Sequence, residues 1–162
     1  MIGKTMQAAL IDQINAELYS AYMYLAMAAE FEAQNLKGMA QWMEIQAKEE
    51  VGHAKRFYDF INDRGGRVTL KPIDAPPAEW KTPEAAFQAA YEHEQKVSAM
   101  IHNLVDIARS EKDKAAEVML HWFVDEQVEE EASTAEIADK LKMIKDSPNG
   151  LIMLDNALAK RE

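Results

Sequence analysis

Glu50 and His53 stand three residues apart in the run Glu49-Glu50-Val51-Gly52-His53. On a helix, a carboxylate and an imidazole at that spacing lie about 60° apart and can hold one metal ion. Glu-x-x-His also arises by chance on solvated faces, so the pair takes its meaning from where it sits. It interrupts an apolar stripe, Met39, Met43, Gln46, Glu50, His53, Phe57 and Phe60, whose three- and four-residue steps mark the buried side of a helix.

Three more stripes are interrupted in the same way. One reads Leu10, Ile14, Glu17, Ala21, Tyr24, Ala28 and another Phe87, Tyr91, Glu94, Ser98, Ile101, Val105, Ala108. The last reads Leu120, Phe123, Gln127, Glu130, Thr134, Ile137, Leu141, Ile144. The polar residues fall near the middle of each helix, and mid-helix residues of a bundle meet at one level whichever way the helices run. Glu17, Glu50, His53, Glu94, Gln127 and Glu130 are therefore predicted to share one layer of the core. Taken singly, Glu17 or Glu94 reads as a boundary residue reaching solvent, His53 as a hydrogen-bonded core histidine and Tyr24 as plain packing. The coincidence across four stripes favours a metal site.

Four carboxylates in a core layer cannot be left alone, because each ion costs several kcal/mol to desolvate and like charges repel. They must hold protons, find basic partners or bind cations. No Lys or Arg occupies the stripes. Four negative charges balance two divalent cations, and carboxylate oxygens with one imidazole suit Fe(II), Mn(II) or Zn(II). Paired-metal bundles draw one Glu from each of two helices and Glu-x-x-His from each of the others. Glu17 and Glu94 supply the first part and Glu50-x-x-His53 the second. Gln127-x-x-Glu130 departs from the pattern and makes the site asymmetric.

A second acidic group follows Asp125: Glu126, Glu129, Glu130 and Glu131, with Glu49 beside Glu50. Glu126, Glu129 and Glu130 share a helix face and are placed to extend the metal site outward. A solvated acidic face is the ordinary reading of such a run.

The elements that must position these residues are set by punctuation. One helix is predicted from about Thr5 to Gln34, broken by Asn35-Leu36-Lys37-Gly38. A second runs from about Lys37 to Arg64 and stops at Gly65-Gly66. A third opens at Thr82-Pro83-Glu84, a capping residue followed by proline at the first helical position, and continues to about Ser110. The fourth covers about Asp113 to Lys145, before Ser147-Pro148-Asn149-Gly150, and a short amphipathic tail places Leu151, Leu154 and Leu158 on one face. The link from Gly65 to Lys81 can reach roughly 56 Å when extended, against about 42 Å for the second helix. It can travel the whole bundle and leave helices two and three parallel. The expected fold is all-α: a four-helix bundle with one long crossover between helices two and three and a short fifth C-terminal helix, the topology of ferritin-like folds.

Composition narrows the chemistry. The 162 residues suit one domain with a full core, and 48% hydrophobic with 28% charged content is ordinary for a soluble protein. No apolar run approaches the roughly 18 residues a membrane span needs, and Met1-Ile2-Gly3-Lys4 opens no signal-peptide core, so a cytoplasmic protein without membrane contact is expected. The absence of cysteine removes disulfides, thiol catalysis, thiolate zinc and iron–sulfur centres. A net charge of −10 makes nucleic acid a poor partner. It suits either plain solubility or the attraction of cations.

The segments Asn15-Ala16-Glu17-Leu18-Tyr19-Ser20-Ala21-Tyr22, Glu49-Glu50-Val51-Gly52-His53-Ala54, Tyr91-Glu92-His93-Glu94 and Trp122-Phe123-Val124-Asp125-Glu126-Gln127-Val128-Glu129-Glu130-Glu131 together resemble those of prokaryotic non-haem ferritins, over essentially the whole chain. That resemblance implies a ferroxidase centre. Glu17, Glu50 and His53 match the ligands of one iron, and Glu50, Glu94 and Glu130 those of the second, with Glu50 bridging. Gln127 matches the family's glutamine beside the centre, and Tyr24 a tyrosine serving as electron donor or radical site. Glu49, Glu126, Glu129 and Glu130 match a third iron site. The tail from Leu151 matches a fifth helix near a shell symmetry axis, and the family implies a homo-oligomeric cage of 24 subunits.

Bacterioferritins carry a haem-ligating methionine directly after the bridging glutamate, where this chain has Val51, and a second Glu-x-x-His where it has Gln127-x-x-Glu130. No haem is expected. The implied activity takes Fe(II) and dioxygen or peroxide as substrates and stores the ferric product as a hydrated oxide. Trp42 and Trp80 are candidate anchors on outer faces for the assembly. Two rival readings stay open on sequence alone: a non-catalytic interaction bundle with protonated or solvated carboxylates, and a di-iron or di-manganese oxidase or peroxidase that accumulates no mineral.

Overall fold

The computed structural model describes residues 1–161. Five helices follow in order, α1 Lys4–Ala33, α2 Lys37–Asp63, α3 Pro83–Ser110, α4 Lys114–Ile144 and α5 Pro148–Leu158. Helix α2 ends in a Schellman arrangement. Gly65 takes φ +71°, its N–H reaches Asn62 O, and the Gly66 N–H reaches Ile61 O, both at 2.9 Å. The Thr82 hydroxyl accepts from Ala85 N at 3.0 Å to open α3, and the Asp113 carboxylate caps α4 through Ala116 N at 3.1 Å. Ser147 does the same for α5 through Gly150 N at 3.2 Å. That helix begins at Pro148, three residues before the expected tail. Ser147-Pro148 is the same cap-plus-proline signature as Thr82-Pro83, here opening a helix where the sequence reading placed only a break.

The crossover between α2 and α3 runs back along α1. Asn15 donates to Pro72 O at 2.9 Å, Gln7 donates to Arg67 O at 3.3 Å, and Lys71 pairs with Asp12. Cross-helix contacts fix the directions. His53 and Phe57 of α2 meet Phe123 of α4, while Gln46, earlier in α2, meets Glu130, later in α4, so these helices are antiparallel. Trp42 meets Phe87 near the starts of α2 and α3, and Arg64 pairs with Asp113 beyond their ends, so those two run parallel as predicted.

The apolar core is split into two clusters. One is built on Met27, Phe31, Met39, Met43, Phe87 and Leu141. The other is built on Leu10, Phe57, Ile61, Ile101, Leu120 and Phe123. The polar residues of all four stripes occupy the level between them, and each is buried. Burial of large side chains above and below holds that layer rigid, since Phe and Leu each contribute about 1.5–3 kcal/mol on burial.

Helix α5 packs on the start of α2 and near the end of α4, with Leu151, Leu154 and Leu158 against the first cluster. The Asp155 carboxylate accepts from Met39 N at 2.8 Å and so satisfies a free amide at the α2 N-terminus. Gly38 makes that docking possible: a Cβ there would lie 1.8 Å from the Asp155 carbonyl oxygen. Gly38→Ala is expected to displace α5 and destabilise the protein by about 1–3 kcal/mol, read as a lower urea midpoint with amide exchange accelerated in α5. Unchanged exchange there would contradict the packing argument. Trp42 corrects one expectation. It is 4% exposed, covered against Phe87, and is no outer-face anchor, whereas Trp80 is half-buried against the first cluster.

Candidate metal centre

The chain turns two helix pairs face to face and brings the interrupting residues together. Ligand atoms of Glu17, Glu50 and His53 lie within 4.8 Å of one another, as do those of Glu50, Glu94 and Glu130. Glu50 belongs to both groups and stands between two positions able to hold a cation. His53 Nδ1 is 3.4 Å from Glu50 Oε2 and 4.0 Å from Glu17 Oε2. The imidazole is wedged edge-on against Trp122 and Phe123, with ring centroids 5.5 and 5.9 Å away. That packing leaves it little freedom to turn.

Three glutamine carboxamides hold the carboxylates. Gln13 donates to Glu17 Oε1 at 2.8 Å. Gln46 donates to Glu50 Oε1 at 3.0 Å and to Glu130 Oε2 at 2.7 Å. Gln127 donates to Glu94 Oε2 at 3.1 Å and to the Glu94 carbonyl at 3.2 Å. Gln127 thus holds the Glu94 carboxylate through its N–H₂ group, and Tyr24 donates its phenol proton to Glu94 as well. Supporting bonds of this kind fix the direction in which a carboxylate presents its remaining lone pairs. Gln13 and Gln46 were not singled out from sequence as part of the layer. Each precedes its glutamate by four residues, and that spacing was the available signal.

Electrostatics in the layer are unfavourable without cations. Burial pushes the Glu17 carboxyl well above its usual range, and nearby Glu50 pushes it further. Glu50 is likewise raised well above its range by burial and by Glu94 and Glu130. Burial raises Glu94 and, with the charge of Glu94, raises Glu130 to about 8. Burial and the Glu94 charge hold the Tyr24 phenol protonated. Among the described residues, Glu17 Oε2 is the buried side-chain oxygen with no hydrogen-bond partner. It faces His53 Nδ1 and completes the first group. An orphaned anionic oxygen beside an imidazole fits a cation ligand, because leaving it unpaired costs about 1–3 kcal/mol.

The outer acidic residues divide. Glu126 Oε1 lies 3.8 Å from His53 Nε2, and His53, Glu126 and Glu130 form a third group able to hold a metal. Glu49 instead pairs with Arg161 at 2.5 Å, and Glu129 is exposed. Both stand outside the three groups. His53 thereby offers one nitrogen to the paired centre and the other toward the outer acidic face.

Residues 7–144 match the family described as ferritin-like domain. A bacterial non-haem ferritin of Bacteroides fragilis is 44% identical over 161 residues, covering 99% of this chain and all of the relative. One of Staphylococcus aureus is 37% identical over the same length, covering 97% of that relative. The open-pore ferritin of the hyperthermophilic archaeon Archaeoglobus fulgidus superposes with a TM-score of 0.99 at 48% identity, over the full length of both chains. Whole-length likeness to bacterial and archaeal relatives, on a bundle whose core layer is built from carboxylates, leaves one assignment: the chain belongs to the ferritin family, as a prokaryotic non-haem ferritin, a protein of iron storage.

Proposed function

We propose that this ferritin is a ferroxidase that oxidises Fe(II) at the paired centre and stores the product as a ferric oxyhydroxide mineral inside a homo-oligomeric cage, of 24 subunits by family likeness. The observation that carries the reading is Glu50, the one carboxylate common to both inner groups. Glu17 and His53 hold one Fe(II), Glu94 and Glu130 the other, and Glu50 lies between. Anionic oxygen ligands stabilise Fe(III) over Fe(II), because the extra positive charge is better matched by carboxylates. Two Fe(II) ions deliver two electrons together to one dioxygen, which takes up two protons and leaves as hydrogen peroxide. The protons that the metal-free carboxyls hold are expelled as the iron binds.

Tyr24 hydrogen-bonds Glu94 from inside the apolar core, which suits a phenol that orients that carboxylate and shares a proton with it as the centre turns over. Tyr24→Phe is expected to leave the number of Fe(II) ions bound unchanged and to slow oxidation by about threefold to tenfold; equal rates would remove the tyrosine from the chemistry. A cage is supported by apolar side chains left on the surface of the subunit. Tyr22 and Leu25 on α1, Leu70 and Ile73 on the crossover, and Ile152 and Met153 on α5 are all at least 40% exposed.

Aerobic loading followed by size-exclusion chromatography tests the whole reading. Hundreds of iron atoms retained per assembly are expected. Retention of only two or three per subunit would favour a metal-site oxidase, and a stable monomer would exclude the cage.

A further inference from the structure

The C-terminal segment does more than dock α5. Beyond that helix, Gln41 donates to Arg161 O at 3.2 Å, and the Arg161 guanidinium lies over the Trp42 ring, 4.4 Å from its centroid. Its Nη1 donates to Trp42 O at 3.3 Å. Its Nη2 donates to Gln46 Oε1 at 2.9 Å and to Glu49 Oε2 at 2.5 Å. Residues 41, 42, 46 and 49 lie on successive turns of α2, so the arginine lies along that helix toward the metal centre.

Two consequences follow from these bonds. A guanidinium only donates, so it holds the Gln46 oxygen toward itself and leaves the Gln46 N–H₂ group facing Glu50 and Glu130. The reversed amide would set a carbonyl oxygen against two carboxylates. Second, the guanidinium engages Glu49, which lies outside the outer group of His53, Glu126 and Glu130 but whose charge reaches Glu130, and which the family resemblance assigns to that outer position. A divalent ion arriving there meets a positive charge already in place.

We propose that Arg161 is a built-in competitor for the outer cation: it occupies Glu49 until an ion displaces it, and through Gln46 it ties that exchange to the carboxylates of the paired centre. The proposal rests on the proposed iron chemistry of the paired centre and on the outer group of His53, Glu126 and Glu130 beside it taking part in iron handling. A resident positive charge keeps that position weak, which suits an ion in transit rather than one retained. Arg161 is here a positioning residue, acting through Glu49 and Gln46.

The test is calorimetric titration of the assembled apoprotein with Fe(II) under argon, which reads binding without turnover. Wild type is expected to show a tight class of two ions per subunit and a weaker third. Arg161→Met keeps an unbranched stem over Trp42 but loses the charge. It is expected to tighten the weak class by about threefold to fivefold, as loss of a half-exposed ion pair implies, while moving the tight class less than about twofold. Arg161→Lys, which retains a cation for Glu49, should return the weak class toward the wild-type value. In a Glu49→Gln background the Arg161→Met effect should vanish, because the two share one interaction. An unchanged weak class in Arg161→Met, an equal shift in the Glu49→Gln background, or no weak class in either protein would overturn the proposal while leaving the paired centre standing. Loss of the tight class from the wild type would overturn the paired centre and this proposal with it.

Discussion

Glu50→Gln slows aerobic Fe(II) oxidation by about 100-fold or more and, at pH 8, makes the metal-free protein more stable. Both effects are expected from one atom exchange. Glutamine keeps the shape of the side chain and can still accept the Gln46 hydrogen bond, so the fold is retained. It removes the anionic carboxylate common to both inner groups, and loss of even a supporting residue at a metal site typically costs 10–100-fold. The stability gain has the opposite sign because Glu50 is buried beside Glu94 and Glu130, which raise its proton affinity together with burial. Relieving such a charge is worth about 1–3 kcal/mol, or several degrees in melting temperature. The sign depends on pH. Near pH 4 the unfolded chain is also largely protonated at this position, and the gain disappears. Stopped-flow oxidation with thermal melts of the apoprotein at pH 4 and pH 8 reads both quantities. A variant that oxidises iron at the wild-type rate, or that is less stable than wild type at pH 8, would sink the account of Glu50 as a costly shared ligand.

That cost is also why the centre is legible in the sequence. A glutamate in an apolar stripe is unstable without a compensating partner, so Glu17, Glu50, Glu94 and Glu130 stand out where a leucine would not. Their common level followed from mid-helix position alone, and the structure places all four in one buried layer. The crossover was equally readable, because its length permits travel along the whole bundle and its prolines exclude a further helix.

Other features escaped for identifiable reasons. Gln46 breaks its stripe and Gln13 lies beside one, both buried, but a neutral amide in a core carries a smaller penalty than a carboxylate and so gives a weaker signal. Trp42 was assigned outward because tryptophan commonly anchors interfaces, whereas here the C-terminal segment covers it with Arg161. Arg161 itself carries no sequence signal. It lies beyond the last helix, outside any periodic pattern, and its partners Gln46 and Glu49 are more than 100 residues away. The run of glutamates after Asp125 looked uniform, yet helix geometry turns Glu126 toward His53 and leaves Glu129 in solvent. Neighbouring residues of one charge cannot be sorted from sequence when the pull comes from another helix.

The metal-free protein is expected to lose stability as the pH rises from about 4.5 to about 8, and divalent cations to reverse that trend. The folded carboxyls have raised proton affinities: Glu130 titrates at about 8, and Glu17, Glu50 and Glu94 all lie above their usual range. A group whose folded pKa exceeds its unfolded value contributes fully below the unfolded pKa, and that contribution is lost as the pH rises through the folded one. The folded state then holds more protons than the unfolded chain, so stability falls with pH across the window. Burial of Glu130 means its share is not screened by solvent, and the layer as a whole should lose one to a few kcal/mol on the order set by linkage. A cation binds the deprotonated layer, so its affinity rises with pH as that of protons is overcome. Saturating Zn(II), used as a redox-inert probe, should stabilise the fold by mass action and do so more at pH 8 than at pH 5. Urea midpoints at pH 5, 6, 7 and 8, with and without Zn(II), measure the two slopes. A pH indicator should register about one or two protons released per ion near pH 7. A metal-free midpoint that climbs steadily from pH 5 to pH 8, with no proton release on binding, would mean that the carboxyls are already ionised and paired with something other than metal.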